Sequence, residues 1–245
     1  MDPMNRTSTL IVSVILALCV LGTTTVITTY QPDDNDTDPS PASDMLYVAL
    51  GDSITYGADR GHRMPVPYPT LVSDKLGFGE CLNLAVGGAT ASTFNRYNHT
   101  MMQLEQVPED ADLISVMIGV NDFHCNVPLG SFGDDTQETL YGALDMLAEG
   151  LRFKCPDAYI FFITPVDYIA HPEYNSRGYN MDDVSDAIKR VCSQYDISVY
   201  DMNTYGEFSW DTDPLCDGIH PTQEYFVRYG APKIVEFIKE EFGIV

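Results

Sequence analysis

Basic side chains are scarce in this chain. Lys and Arg number 13 against 36 Asp and Glu, a net charge of -23. Nucleic-acid binding needs clusters of Lys and Arg, and there are none, so that class of partner is excluded. The acidity reads either as a means to solubility or life in high salt, or as a field that repels anionic substrates and surfaces, and the sequence does not decide between the two. No CxxC pair occurs, which argues against a zinc site. Cys19 lies in an N-terminal apolar run, leaving Cys81, Cys125, Cys155, Cys192 and Cys216, an odd number. Outside the cytoplasm one or two disulfides are plausible, with a thiol left over. A bridge at Cys216 would brace the loop that begins at Asp217. Internal repeats are absent. Hydrophobic residues at 44% and aromatics at 11% argue against a disordered chain.

The first 44 residues read differently from the rest. Leu10 to Gly22 is almost wholly apolar, and Thr23 to Ile27 extends it, after a single basic Arg6. The run reaches about 18 residues, at the short end of the ~20 that a membrane-spanning helix needs. Residues 1–30 are therefore expected to be a signal peptide or a signal anchor. Val20-x-Gly22 makes a passable cleavage site, whereas the bulky Leu18 disfavours lipid attachment at Cys19. Residues 31–44, rich in Asp, Pro, Ser and Thr, read as a flexible acidic linker. Residues 45–245 remain for one domain of ordinary size. This layout places the domain outside the cytoplasm, secreted or anchored to the membrane. Asn35 and Asn98 head glycosylation sequons.

Within the domain, apolar runs alternate with helical spacing. Met45–Leu50, Cys81–Ala85, Asp112–Ile118, Ala158–Ile163 and Ile197–Tyr200 are expected as strands. Tyr68–Leu76, stopped by Gly77, is expected as a helix, as are Thr136–Phe153, Asp182–Tyr195 and Thr222–Phe242. Leu140, Leu144, Leu147 and Leu151 fall on one stripe. Such alternation means an α/β fold, with a parallel sheet and right-handed crossovers.

Four short motifs punctuate these elements: Gly51-Asp52-Ser53-Ile54-Thr55, Asn83 to Thr90, Gly119-Val120-Asn121-Asp122, and Asp217-Gly218-Ile219-His220-Pro221. Three of them follow expected strand ends, where open α/β sheets place ligands. Together they contain the parts of a serine hydrolase. A serine hydroxyl is a poor nucleophile without an adjacent base; Ser53 is the candidate, in a turn after a strand. His220 is the candidate base, and Asp217, three residues earlier, can hold its other ring nitrogen. Oxyanion donors are available from the Ser53 N–H, the Gly88 N–H and the Asn121 side-chain amide, with Gly87 an alternative to Gly88. Asp122 reads as structural. His62, His99, His124 and His171 lack the Asp partner spacing, though His124 closely follows the third motif. No GxSxG elbow occurs, which argues against the α/β-hydrolase fold.

The four motifs, in this order, resemble the SGNH/GDSL hydrolase family, and NLAVGGAT and DGIHPT are similar to its lipase/esterase branch. The resemblance covers roughly Met45 to the C-terminus. It implies a three-layer α/β/α sandwich of flavodoxin-like arrangement. It favours Gly88 over Gly87, since the family pattern places Asn83 and Thr90 at its ends. It implies an ester hydrolase with an acyl-enzyme on Ser53, needing no metal or cofactor. The expected partner is a small-molecule or carbohydrate ester, with the acyl and alcohol groups left open. Tyr68, Trp210 and the Tyr-rich stretch Asp167 to Asn180 are candidate pocket walls. Polar aromatics lean the reading toward a glycan deacetylase. A long-chain lipase, an O-acyltransferase and a glycan-binding domain of the same fold are the alternatives.

Overall fold

Each apolar run becomes a strand because helices cover both of its faces. The computed structural model describes residues 42–59, 62–94, 97–166, 172–205, 215 and 217–244. The expected leader at 1–30, most of the linker, Trp210, Cys216 and residues 167–171 lie outside the described residues. The elements run β1 (Leu46–Gly51), α1 (Ser53–Tyr56), β2 (Ala58–Asp59), β3 (His62–Arg63), α2 (Tyr68–Leu76), β4 (Glu80–Asn83), α3 (Thr100–Gln106), β5 (Leu113–Met117), α4 (Val120–His124) and α5 (Leu140–Lys154). They continue with β6 (Tyr159–Ile163), α6 (Met181–Gln194), β7 (Ser198–Tyr200), α7 (Met202–Tyr205), α8 (Gln223–Tyr225) and α9 (Ala231–Phe242).

The main sheet has the order β4-β1-β5-β6-β7, and every pairing in it is parallel. By order of appearance this is 2-1-3-4-5, the flavodoxin-like winding, whose direction reverses between the first and third strands. Here that switch point lies between β1 and β5, and it leaves a crevice beyond their carboxyl ends. The expected three-layer α/β/α sandwich is the fold observed.

Alternation along the strands sorts the core. Val48, Leu50, Ile114, Val116, Ile160 and Phe162 face one way and pack with Leu140, Leu144, Leu147 and Leu151 of α5 and with Val184, Ile188 and Val191 of α6. The intervening residues are buried too: Tyr47, Ala49, Leu113, Phe161 and Ile163. On that second face the Phe161 ring lies 5.5 Å from Phe237 of α9. Burial on both faces is what a crossover-built parallel sheet requires.

Most boundaries shift from expectation by a residue or two. Helix α5 starts at Leu140, not Thr136, because the Thr139 side chain accepts from Gly142 N and caps it there. Helix α6 starts in a reciprocal capping box between Asn180 and Asp183. The expected single helix Thr222–Phe242 is interrupted by a π turn over Phe226–Gly230. Pro232 lies in the first turn of α9 and has no N–H to carry the α ladder backward. The four described cysteines, Cys81, Cys125, Cys155 and Cys192, are free thiols. Among the described residues no helix is long and apolar enough to cross a membrane.

Leu147 is fully buried between α5 and the sheet. Leu147→Ala is expected to lower the unfolding free energy by about 3 kcal/mol, through lost transfer energy and the cavity left behind. Urea denaturation with an unchanged slope measures it.

Candidate active site

The first strand ends where only glycine fits. A Cβ at Gly51 would stand 2.4 Å from both the Met117 carbonyl oxygen and Thr55 Oγ1. The chain then turns through Asp52, whose side chain accepts from Ile54 N and caps α1. Ser53 opens that short helix, and Gly57, at φ 90°, closes it. Ser53 Oγ lies 2.8 Å from His220 Nε2. His220 Nδ1 lies 2.8 Å from Asp217 Oδ2. The other Asp217 oxygen accepts from the backbone N–H of Ile219 at 3.1 Å and of His220 at 2.9 Å. An ionised carboxylate can only accept, so Nδ1 donates to it and Nε2 is left to accept the Ser53 hydroxyl. Burial opposes ionisation of Asp217, but the His220 backbone, the His220 ring and the Ile219 N–H outweigh it. Its carboxyl is therefore held below the ordinary range.

The oxyanion candidates follow the neighbouring strands. Gly88 lies after β4, in a segment that turns at φ 76°. A Cβ there meets nothing within 4 Å, so the dihedral and not packing calls for glycine. Asn121, on α4 after β5, donates Nδ2 to the Ala89 carbonyl at 2.9 Å. An amide nitrogen carries two hydrogens, so a second is available for an oxyanion. Asn83 connects the second motif to the nucleophile turn, donating to the Thr55 carbonyl at 2.7 Å.

Asp122, expected to be structural, holds the backbone of a neighbouring segment. It is fully buried, and its two oxygens accept from Ala91 N at 2.8 Å and Ser92 N at 3.2 Å. It thereby pins the segment that carries Gly88. Gln103, on α3, was missed entirely; both of its polar atoms bond the Gly51 peptide. Asp122 closes the third motif, whereas Gln103 lies outside all four. Two expected pocket walls are instead structural. Tyr68 has no exposed surface and stacks on Phe226. Tyr179 is buried and donates its hydroxyl to the Asp122 and Val127 carbonyls. His124 ends α4, packed edge-on against Phe123, and burial lowers its pKa. Among the described residues no group of three or more His, Cys, Asp or Glu is arranged to hold a metal ion.

The profile of the GDSL-like lipase/acylhydrolase family matches residues 49–225, from the end of β1 to the helix after His220. The chain belongs to this family. Among solved structures, a Lactobacillus plantarum protein is 28% identical, with 81% of this chain and 98% of that one covered, at a TM-score of 0.70. A possible lipase from Chitinophaga pinensis is 20% identical over 82% of this chain and 100% of that one, with a TM-score of 0.64. Phospholipase A1 from Streptomyces albidoflavus is 20% identical over 79% and 99%, with a TM-score of 0.57. The last two likenesses are of fold alone. A search of curated proteins returned no match.

Two carboxyls of this GDSL-like acylhydrolase sit behind the site. Burial raises Asp52 to about 7, against its bond from Ile54, and raises Asp122 to about 6, against its bonds from Ala91 and Ser92. Their folded values exceed the unfolded value near 3.9. The folded state thus binds more protons across that window, and this contribution to stability falls as pH rises through it. Asp52→Asn keeps an N-cap side chain. Its stability relative to the unmutated chain should increase from pH 5 to pH 8. Urea unfolding across that range reads the trend, and a flat difference would count against a neutral Asp52 at low pH.

Proposed function

We propose that the chain is a serine-dependent carboxylesterase that works through an acyl-enzyme on Ser53. The observation that carries this reading is the unbroken relay from Ser53 Oγ to His220 to Asp217, both contacts at 2.8 Å. His220 takes the hydroxyl proton as Oγ attacks the ester carbonyl carbon. The carbonyl electron pair moves to oxygen, where the Ser53 and Gly88 N–H groups and the Asn121 amide meet the charge. Asp217 stabilises the imidazolium meanwhile. The tetrahedral species collapses, the ester C–O bond breaks, and His220 returns the proton to the leaving alcohol. Water, deprotonated by His220, then attacks the acyl carbon. The acid leaves, and Ser53 recovers its proton.

The proposed substrate is a small ester or an acetylated carbohydrate. A net charge of -23 disfavours anionic headgroups. The N-terminal apolar run supports an extracytoplasmic, secreted or anchored, enzyme. One observation favours a second reading, hydrolysis of longer acyl chains: Val86, Phe94, Tyr97 and Met102 are exposed on and beside the segment that carries Gly88.

Ser53→Ala is expected to lower hydrolysis of p-nitrophenyl acetate by about 10⁴-fold or more, with the melting temperature unchanged. Retained turnover would refute the assignment. Rates on the acetate, butyrate and palmitate esters, beside acetate release from an acetylated polysaccharide, separate the two substrate readings.

A further inference from the structure

Ser53 and Gly88 follow different strands, and oxyanion capture needs their spacing held within a fraction of an ångström. One short helix reaches both. At the start of α3, Thr100 donates its backbone N–H to the Thr90 carbonyl at 3.0 Å and its Oγ1 to the Ala91 carbonyl at 3.1 Å. One turn later Gln103, 1% exposed, accepts from Gly51 N at 2.8 Å and donates Nε2 to the Gly51 carbonyl at 2.8 Å. The side-chain amide therefore binds both the N–H and the carbonyl of Gly51, the last residue of β1, as a neighbouring strand would. The Gly51 carbonyl also accepts from Val86 N at 3.2 Å, so the same oxygen ties the nucleophile turn to the start of the oxyanion segment.

The helix itself is anchored. Lys154 of α5 donates Nζ to the Leu104 and Glu105 carbonyls, at 3.1 and 2.9 Å, and satisfies its C-terminal end. Gly150 of α5 lets it sit close, since a Cβ there would come within 2.6 Å of Leu104.

We propose that α3 braces the nucleophile against the oxyanion segment, and that Gln103 is a positioning residue for the reaction. It touches neither substrate nor the reacting atoms and acts through the Gly51 peptide. The inference rests on the esterase reading above. The Ser53–His220 contact does not pass through Gln103, so the loss of Gln103 is expected to be felt in how well the oxyanion is met.

Two variants test this in the full chain. Gln103→Leu has a similar volume and removes both bonds. Gln103→Glu retains an acceptor for Gly51 N, and its neutral form also offers an O–H to the Gly51 carbonyl. Each is assayed for kcat and KM on p-nitrophenyl acetate per Ser53 titrated, for the rate of Ser53 modification by a fluorophosphonate, and for thermal unfolding. Gln103→Leu is expected to lose about 10- to 100-fold in kcat per titrated site with KM within about threefold. Its fluorophosphonate reaction should slow in parallel. Gln103→Glu should recover activity relative to the unmutated chain as pH falls and the buried carboxyl becomes neutral. A folded Leu variant with unchanged kcat and labelling rate would overturn the proposal. Where the Leu variant does not fold, the Glu variant decides, and a pH-independent ratio to the unmutated chain overturns it. An unmutated chain that the fluorophosphonate leaves unlabelled at Ser53 would instead overturn the esterase reading.

Discussion

The main chain of Gly51 is the fixed point of the site. Its nitrogen and oxygen are held by Gln103 and Val86, and a side chain there would strike Met117 and Thr55. From there Ser53 leaves the strand on a short capped turn, with its hydroxyl 2.8 Å from His220. On the proposed reading, a nucleophile held this way has already lost the conformational entropy that an attack would otherwise cost.

The sheet order makes the rest of the geometry follow. Adjacent strands β4, β1 and β5 deliver Gly88, Ser53 and Asn121 to one edge of the sheet. Buried Asp122 and the Asn121 amide both bond the segment of Gly88, so two candidate oxyanion donors are tied to each other as well as to the fold. Burying a carboxylate is costly unless its oxygens are bonded. Asp122 meets that condition with two backbone N–H groups. In Asp52 only Oδ1 is bonded, and Oδ2 meets no partner among the described residues. Burial raises both carboxyls, so the nucleophile turn and the oxyanion segment each hold an acid that resists ionisation.

Much of this was legible in the sequence for a physical reason. Ser53, His220 and Asp217 are fixed in type by proton-transfer chemistry, and the i to i+3 spacing of the last two lets one loop present both. Strand alternation and the leucine stripe of α5 are equally direct, since burial imposes a period. What stayed hidden acts through the backbone over long separations. Gln103 lies 52 positions from Gly51, and nothing in its surroundings marks a glutamine that bonds a peptide. Tyr68 reads as an amphipathic wall because a tyrosine can face water or core; only the stacking against Phe226 settles it. The π turn before α9 follows from Pro232, but a helix can also kink or end at proline, so the residue alone does not choose among them.

The central claim is that Ser53, held by His220, is the reacting atom of the site. Treating the full chain with a serine-directed phosphonate and mapping the adduct by peptide mass spectrometry tests it most directly. The account predicts one covalent adduct on Ser53, lost when His220 is replaced by alanine. An adduct on another residue, or labelling of Ser53 that is indifferent to His220, would contradict it.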